Sequence, residues 1–207
     1  MHVEIWSDIA CPWCYIGKRR FETALAGFEQ RDQVTVTWRS FQLDPSAPRT
    51  SQLSAAARLA QKYGMSEDEA RARQAQVTEL AAAEGLDYRF DLQRPGNTFD
   101  AHRLTHLDGA LVERLFAAYF SEGAAIGDPA TLERIAVDAG LPADDVREVL
   151  LTERYAEEVH EDQRTAAALG ITAVPFFVVD RAIAVSGAQS PEVLGELLRR
   201  AASAGVA

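Results

Sequence analysis

The only two cysteines of the chain, Cys11 and Cys14, stand at the junction of a strand-like run and a helix-like one. That junction constrains the fold more than any other feature. Val3 and Ile5 alternate with polar neighbours, the period of a half-buried strand, and Phe21, Leu25 and Phe28 then recur at helical spacing. Cys11 falls at the N-terminus of the predicted helix, where unpaired N–H groups and the positive end of the helix dipole stabilise a thiolate. Pro12 takes the first helical position, which needs no donor. One turn brings Cys14 back beneath Cys11, within the Cα separation that a disulfide tolerates. The pair reads as a redox-active dithiol. A structural disulfide would close so short a loop that it removes little entropy from the unfolded chain. A zinc site needs about four ligands. His2, His102, His106 and His160 supply no second pair at ligand spacing, and the helical pair His102 and His106 has no Cys or carboxylate set beside it. No metal is expected.

Val34, Val36 and Trp38 alternate with Thr35, Thr37 and Arg39, so the start reads as strand, helix, strand. That order predicts a parallel pair with a right-handed crossover. It puts the cysteines at the C-terminal end of the first strand, where open α/β sheets place their sites. Asp44-Pro45-Ser46-Ala47-Pro48 then breaks the pattern, and the chain reads as helical from there to Gly170. Ser66 with Glu69 forms a capping box for a helix ended by Gly85. Thr98 is a candidate cap for a helix through Leu104 and Leu107, and a further helix is expected over 111–121. Asp128-Pro129 opens a helix closed by Gly140, a shorter one follows Pro142, and a last one covers 154–169. Phe176-Phe177-Val178-Val179 is a strand, Asp180-Arg181 a tight turn, and Ile183-Ala184-Val185 the hairpin partner. Ser190 caps a final helix. A βαβ unit over 1–44 and a segment over 153–207, the 154–169 helix followed by a ββα unit, thus flank an all-helical block over 45–152.

Composition narrows the classes. A chain of 207 residues is one large domain or one domain with a sizeable insertion. No run approaches the 18 or so apolar residues of a membrane span, and the chain opens on a strand without a basic-then-apolar leader. A cytoplasmic location is therefore expected, and in that reducing compartment a Cys pair is more often catalytic than structural. The net charge of −10 disfavours nucleic acid and anionic membrane surfaces as partners. The oligomeric state stays open between monomer and homodimer.

These residues resemble the DsbA-like branch of the thioredoxin superfamily, especially its FrnE-like members. The resemblance spans essentially the whole chain. It rests on Trp6-Ser7-Asp8 leading into Cys11-Pro12-Trp13-Cys14-Tyr15-Ile16-Gly17, and on Asn97-Thr98-Phe99-Asp100-Ala101-His102-Arg103-Leu104. Gly170-Ile171-Thr172-Ala173-Val174-Pro175-Phe176-Phe177 and Ser186-Gly187-Ala188-Gln189 complete it. It implies an α/β fold, a thioredoxin fold with a large all-helical insertion. The 1–44 and 153–207 segments become its two parts and 45–152 the insertion.

The resemblance also assigns roles. Val174-Pro175 matches the cis-proline loop that lies against the Cys pair in thioredoxin-like proteins, which predicts a cis bond and a Val174 backbone free to pair with an extended substrate. Pro12 and Trp13 lie beside the reacting sulfur, with Trp13 as the tuning residue. Asn97 and His102 match positions lining the groove from the helical side. The expected activity is thiol–disulfide exchange with protein or small thiol substrates. Cys11 acts as the exposed attacking sulfur and Cys14 as the buried resolving one. No bound cofactor is needed, although a low-molecular-weight thiol could serve as co-substrate. A second class is a glutathione-dependent isomerase or transferase, like hydroxychromene-carboxylate isomerases, kappa-class transferases or a polyketide isomerase. Those relatives typically carry Ser at the Cys11 position. The acidic and basic residues that hold glutathione in the kappa-class segment are missing from Ser186–Gln189. A third class is a holdase-type chaperone.

Overall fold

Alternation at Val3 and Ile5 produces the first strand of a computed structural model that describes residues 1–204. That strand, β1 (His2–Ser7), is followed by α1 (Pro12–Ala26), a 3-10 turn at Arg31–Gln33, and β2 (Thr35–Ser40). The helical stretch contains α2 (Ala55–Tyr63), α3 (Glu67–Ala83), α4 (Phe99–Leu107), α5 (Leu111–Phe120), α6 (Pro129–Asp138), α7 (Ala143–Leu151) and α8 (Ala156–Ala168). β3 (Phe176–Val179), β4 (Ile183–Ser186) and α9 (Pro191–Ala204) close the chain. Contacts divide it into two compact units, Met1–Leu43 with the segment from His160 onward, and Asp44–Val159. The second junction thus falls inside α8 and not at 152/153, because the later part of that helix packs on the sheet of the first unit, where Asp162 meets Trp6, Arg39 and Ser40.

The first unit holds a four-stranded sheet in the order β2-β1-β3-β4. β1 and β2 are parallel from His2↔Thr35 to Ser7↔Ser40, and β3 is antiparallel to both β1 and β4. The β3–β4 turn has Asp180 and Arg181 at φ 47° and 54°, a left-handed pair that closes a tight hairpin. Val3 and Ile5 face α1 and α9, packing with Phe21, Phe28, Phe177, Val179, Leu194 and Leu198. The rings of Phe21 and Phe177 stack at 5.6 Å. On the opposite sheet face the Trp6 indole N–H donates to the Asp162 carbonyl of α8 at 3.0 Å.

The second unit is helical, and small side chains let its helices approach closely. Ala56 and Ala60 of α2 meet Ala70 of α3, while Tyr88, Phe90, Phe116 and Phe120 form an aromatic cluster with Tyr88 stacked on Phe120 at 4.6 Å. The Ser66–Glu69 capping box and the Asp128 cap form as the sequence predicts. Two boundaries differ from expectation. Thr98 gives no side-chain cap to α4, because Asn97 takes that part with its Oδ1 accepting from the Phe99 N–H at 2.8 Å. α8 starts at Ala156 and not at Arg154, since Tyr155 has a positive φ of 64° that a helix cannot contain. Buried Arg103 donates to the Val149, Thr152 and Arg154 carbonyls, satisfying groups that the end of α7 leaves without helical partners.

Candidate active site

The turn from β1 into α1 is shaped by Asp8. Its carboxylate is buried and accepts from the Ala10 N–H at 3.2 Å and the Leu43 N–H at 2.7 Å. Its carbonyl accepts from the Cys11 N–H at 3.0 Å. Cys11 is then the N-cap of α1 in extended conformation, and Pro12 occupies the first helical position. Trp13 is 39% exposed beside the two cysteines. Both sulfurs are free thiols.

Cys11 is buried, only 3% exposed, which corrects the expectation of an exposed attacking sulfur. The segment preceding β3 contributes to that cover: the Cys11 thiol donates to the Val174 carbonyl at 3.6 Å. The Val174–Pro175 bond is cis, in agreement with the sequence expectation. Pro175 in turn packs against α1, where a Cβ on Gly17 would stand 2.8 Å from the Pro175 ring and 3.5 Å from Ala188. Gly17→Ala gains helix propensity of up to about 1 kcal/mol, but it pushes a ring in a packed loop, at about 1–3 kcal/mol. Net destabilisation of about 1 kcal/mol is expected, with slower thiol exchange. A denaturant midpoint equal to or above wild type would show that the loop yields freely.

Cys14 lies on the buried stripe of α1 with Phe21, seven residues further along, and Phe28 just past the end of the helix packs in the same core as Phe21. Val3, Ile5 and Ser7 form the facing column of β1, since alternate strand residues share a face. Ser7 therefore meets Cys14 where Ile5 and Val3 meet the phenylalanines. Burial pushes the Cys14 thiol well above the usual range, and the neighbouring Cys11 adds to the rise. The Ser7 hydroxyl and the Asp8 N–H beside it act in the opposite sense. Ser7 and Gly17 are the positions whose parts sequence reasoning missed. The signal for Ser7 was a polar residue continuing the apolar column of Val3 and Ile5.

The first unit thus brings together Cys11, Pro12, Trp13, Cys14, Val174 and Pro175. Asn97 and His102 belong to the second unit. The Asn97 side-chain amide donates to the Pro45 carbonyl at 3.1 Å and the Ala47 carbonyl at 2.9 Å, and its backbone N–H donates to the Pro48 carbonyl at 2.9 Å. Its amide braces the 45–48 loop. His102 is buried within α4, and His106 stacks on Tyr155 at 6.3 Å. Ser186–Gln189 is a turn, with Gly187 at φ 86° and the Gln189 amide donating to the Ser186 carbonyl at 2.8 Å.

A four-stranded sheet with this order, a buried dithiol at the start of α1 and a helical block inserted before β3 define a thioredoxin fold of the DsbA-like kind. The chain belongs to the DSBA-like thioredoxin domain family, whose model matches residues 2–199. A probable DsbA oxidoreductase from Streptomyces coelicolor is 48% identical, over 98% of this chain and 90% of that one, with a TM-score of 0.93. The uncharacterized protein YwbO of Bacillus subtilis is 26% identical over 93% of both chains. A 2-hydroxychromene-2-carboxylate isomerase shares the fold at 14% identity, with a TM-score of 0.71 over 100% of this chain and 98% of that one.

Proposed function

We propose that this protein is a thiol–disulfide oxidoreductase acting in the cytoplasm on protein or small-molecule thiols and disulfides. The observation that carries the reading is the placement of Cys11 and Cys14 in the first turn of α1, against the Val174–Pro175 loop. In the reducing direction the Cys11 thiolate attacks a substrate disulfide RS–SR′, forming Cys11–S–S–R and releasing R′S⁻. Cys14 then attacks the Cys11 sulfur, closing the Cys11–Cys14 disulfide and releasing RS⁻, so two electrons pass to the substrate. The opposite direction runs the same steps backwards. A low-molecular-weight thiol is the proposed source of those electrons, and its disulfide the proposed sink in the opposite direction.

The Cys11–Cys14 reduction potential tests the reading, measured by equilibration in defined thiol/disulfide buffers followed by thiol trapping. A potential near about −270 mV, the thioredoxin value, makes the protein a reductant, and one between about −120 and −180 mV makes it an oxidant or isomerase. Failure to form an intramolecular disulfide at any accessible potential overturns the proposal and leaves the glutathione-dependent isomerase in its place.

A further inference from the structure

Ser7 stands out once the apolar column of β1 is followed to its end. Val3 and Ile5 are wholly buried against α1 and α9, and Ser7 continues their row into the first turn of α1. Its hydroxyl oxygen is itself buried and has no hydrogen-bond partner among the described residues while Cys14 is a thiol. Its place in that row sets it against Cys14, which shares the buried stripe of α1 with Phe21. An apolar residue would extend the core there, so a hydroxyl at that point is chemically pointed.

We propose that Ser7 donates a hydrogen bond that holds Cys14 as a thiolate while it attacks the mixed disulfide on Cys11. This rests on the oxidoreductase reading above. In that step the Cys14 proton passes to water. The Cys11 Sγ–Cys14 Sγ bond forms, the bond between Cys11 and the substrate sulfur breaks, and the substrate leaves as RS⁻. The attacking anion is buried, where a charge without hydrogen bonds is strongly disfavoured. The Asp8 backbone N–H supplies a second donor, fixed by the turn and independent of side-chain identity. Cys11, the other titratable group acting on Cys14, is tied up in the mixed disulfide during this step.

The test uses the reduced full-length protein and the chromogenic disulfide 5,5′-dithiobis(2-nitrobenzoate). Attack by Cys11 releases one coloured thiolate, and resolution by Cys14 releases a second, so the two phases separate the two sulfurs. Ser7→Ala is expected to slow the second phase about tenfold or more, the effect of losing one hydrogen bond to a charged group, and to leave the first phase at its wild-type rate. Ser7→Thr, which keeps the hydroxyl, is expected to resolve within a few-fold of wild type. Equal slowing of both phases in Ser7→Ala, or an unaltered second phase, overturns the proposal. Release of a single coloured thiolate by the wild-type protein overturns the oxidoreductase reading, and the role of Ser7 falls with it.

Discussion

Cys11→Ser is expected to reduce disulfide exchange to the uncatalysed background, while Cys14→Ser retains the first attack and stops after it. The asymmetry follows from position. Cys11 caps α1 at its N-terminus, where backbone N–H groups favour an anion. A serine hydroxyl in the same place is far less acidic than a thiol and cannot form a disulfide with the substrate. Cys14 sits one turn further in, 1% exposed and pushed toward the thiol form by burial. It reaches only a sulfur already brought to it. In Cys14→Ser the mixed disulfide on Cys11 therefore accumulates and is visible as an added mass on the intact protein. Substrates that resolve through an external thiol still turn over slowly. Full activity in both variants would sink the exchange mechanism. Glutathione binding and isomerase activity surviving Cys11→Ser would instead favour the small-molecule enzyme, since that chemistry activates a bound thiol and does not consume a protein one.

Local features of the sequence were enough to read the frame of this site. The strand–cysteine–helix junction, Pro12 at the first helical position, the Asp180-Arg181 turn and the Asp128-Pro129 helix start each depend on a few adjacent residues, and each forms as expected. What the sequence hid depends on contacts between distant segments. The burial of Cys11 involves Val174, which lies 163 residues away. Gly17 closes the Cys11–Gly17 motif with no role legible in the sequence, yet its missing Cβ is what lets Pro175 approach α1. Gly127 is a similar case, since a Cβ there would fall 1.8 Å from the Arg49 carbonyl. Asn97 was legible as important but not as a brace, because its partners are backbone carbonyls of a loop 49 to 52 residues upstream. Backbone acceptors leave no signature in side-chain pattern.

Glu4→Gln is expected to destabilise the protein by about 3 kcal/mol at neutral pH, and the deficit is expected to shrink as the pH falls. Glu4 stands on the face of β1 opposite Val3 and Ile5, and it is 1% exposed. Its carboxylate accepts from the Arg39 guanidinium at 2.7 and 3.0 Å and from the Arg181 guanidinium at 3.0 and 3.3 Å. Arg39 also binds Asp162 at 3.1 Å, and Asp162 accepts from the Ser40 N–H at 2.8 Å. Removing one partner of a buried pair costs about 3–5 kcal/mol, and the low end applies because the Arg181 side chain is 65% exposed to screening water. For a chain of 207 residues that amounts to a melting point lower by roughly 6–12 °C. Burial alone would raise the Glu4 carboxyl, but the hydrogen bonds from Arg181 and Arg39 together outweigh it and hold it below the usual range. A carboxyl whose folded value lies below its unfolded one contributes stability that is complete above the unfolded value, about 4.3 for Glu. That contribution is lost as the pH falls through the folded value. Wild type and variant carry the same remaining carboxylates, so those outside this network, Glu69 and Asp128 among them, cancel in the difference. Urea denaturation of both proteins between pH 7 and pH 3 reads that difference directly. A gap that stays constant across the range would mean that Glu4 supports the fold by its shape and neutral hydrogen bonds, and that its charge contributes nothing.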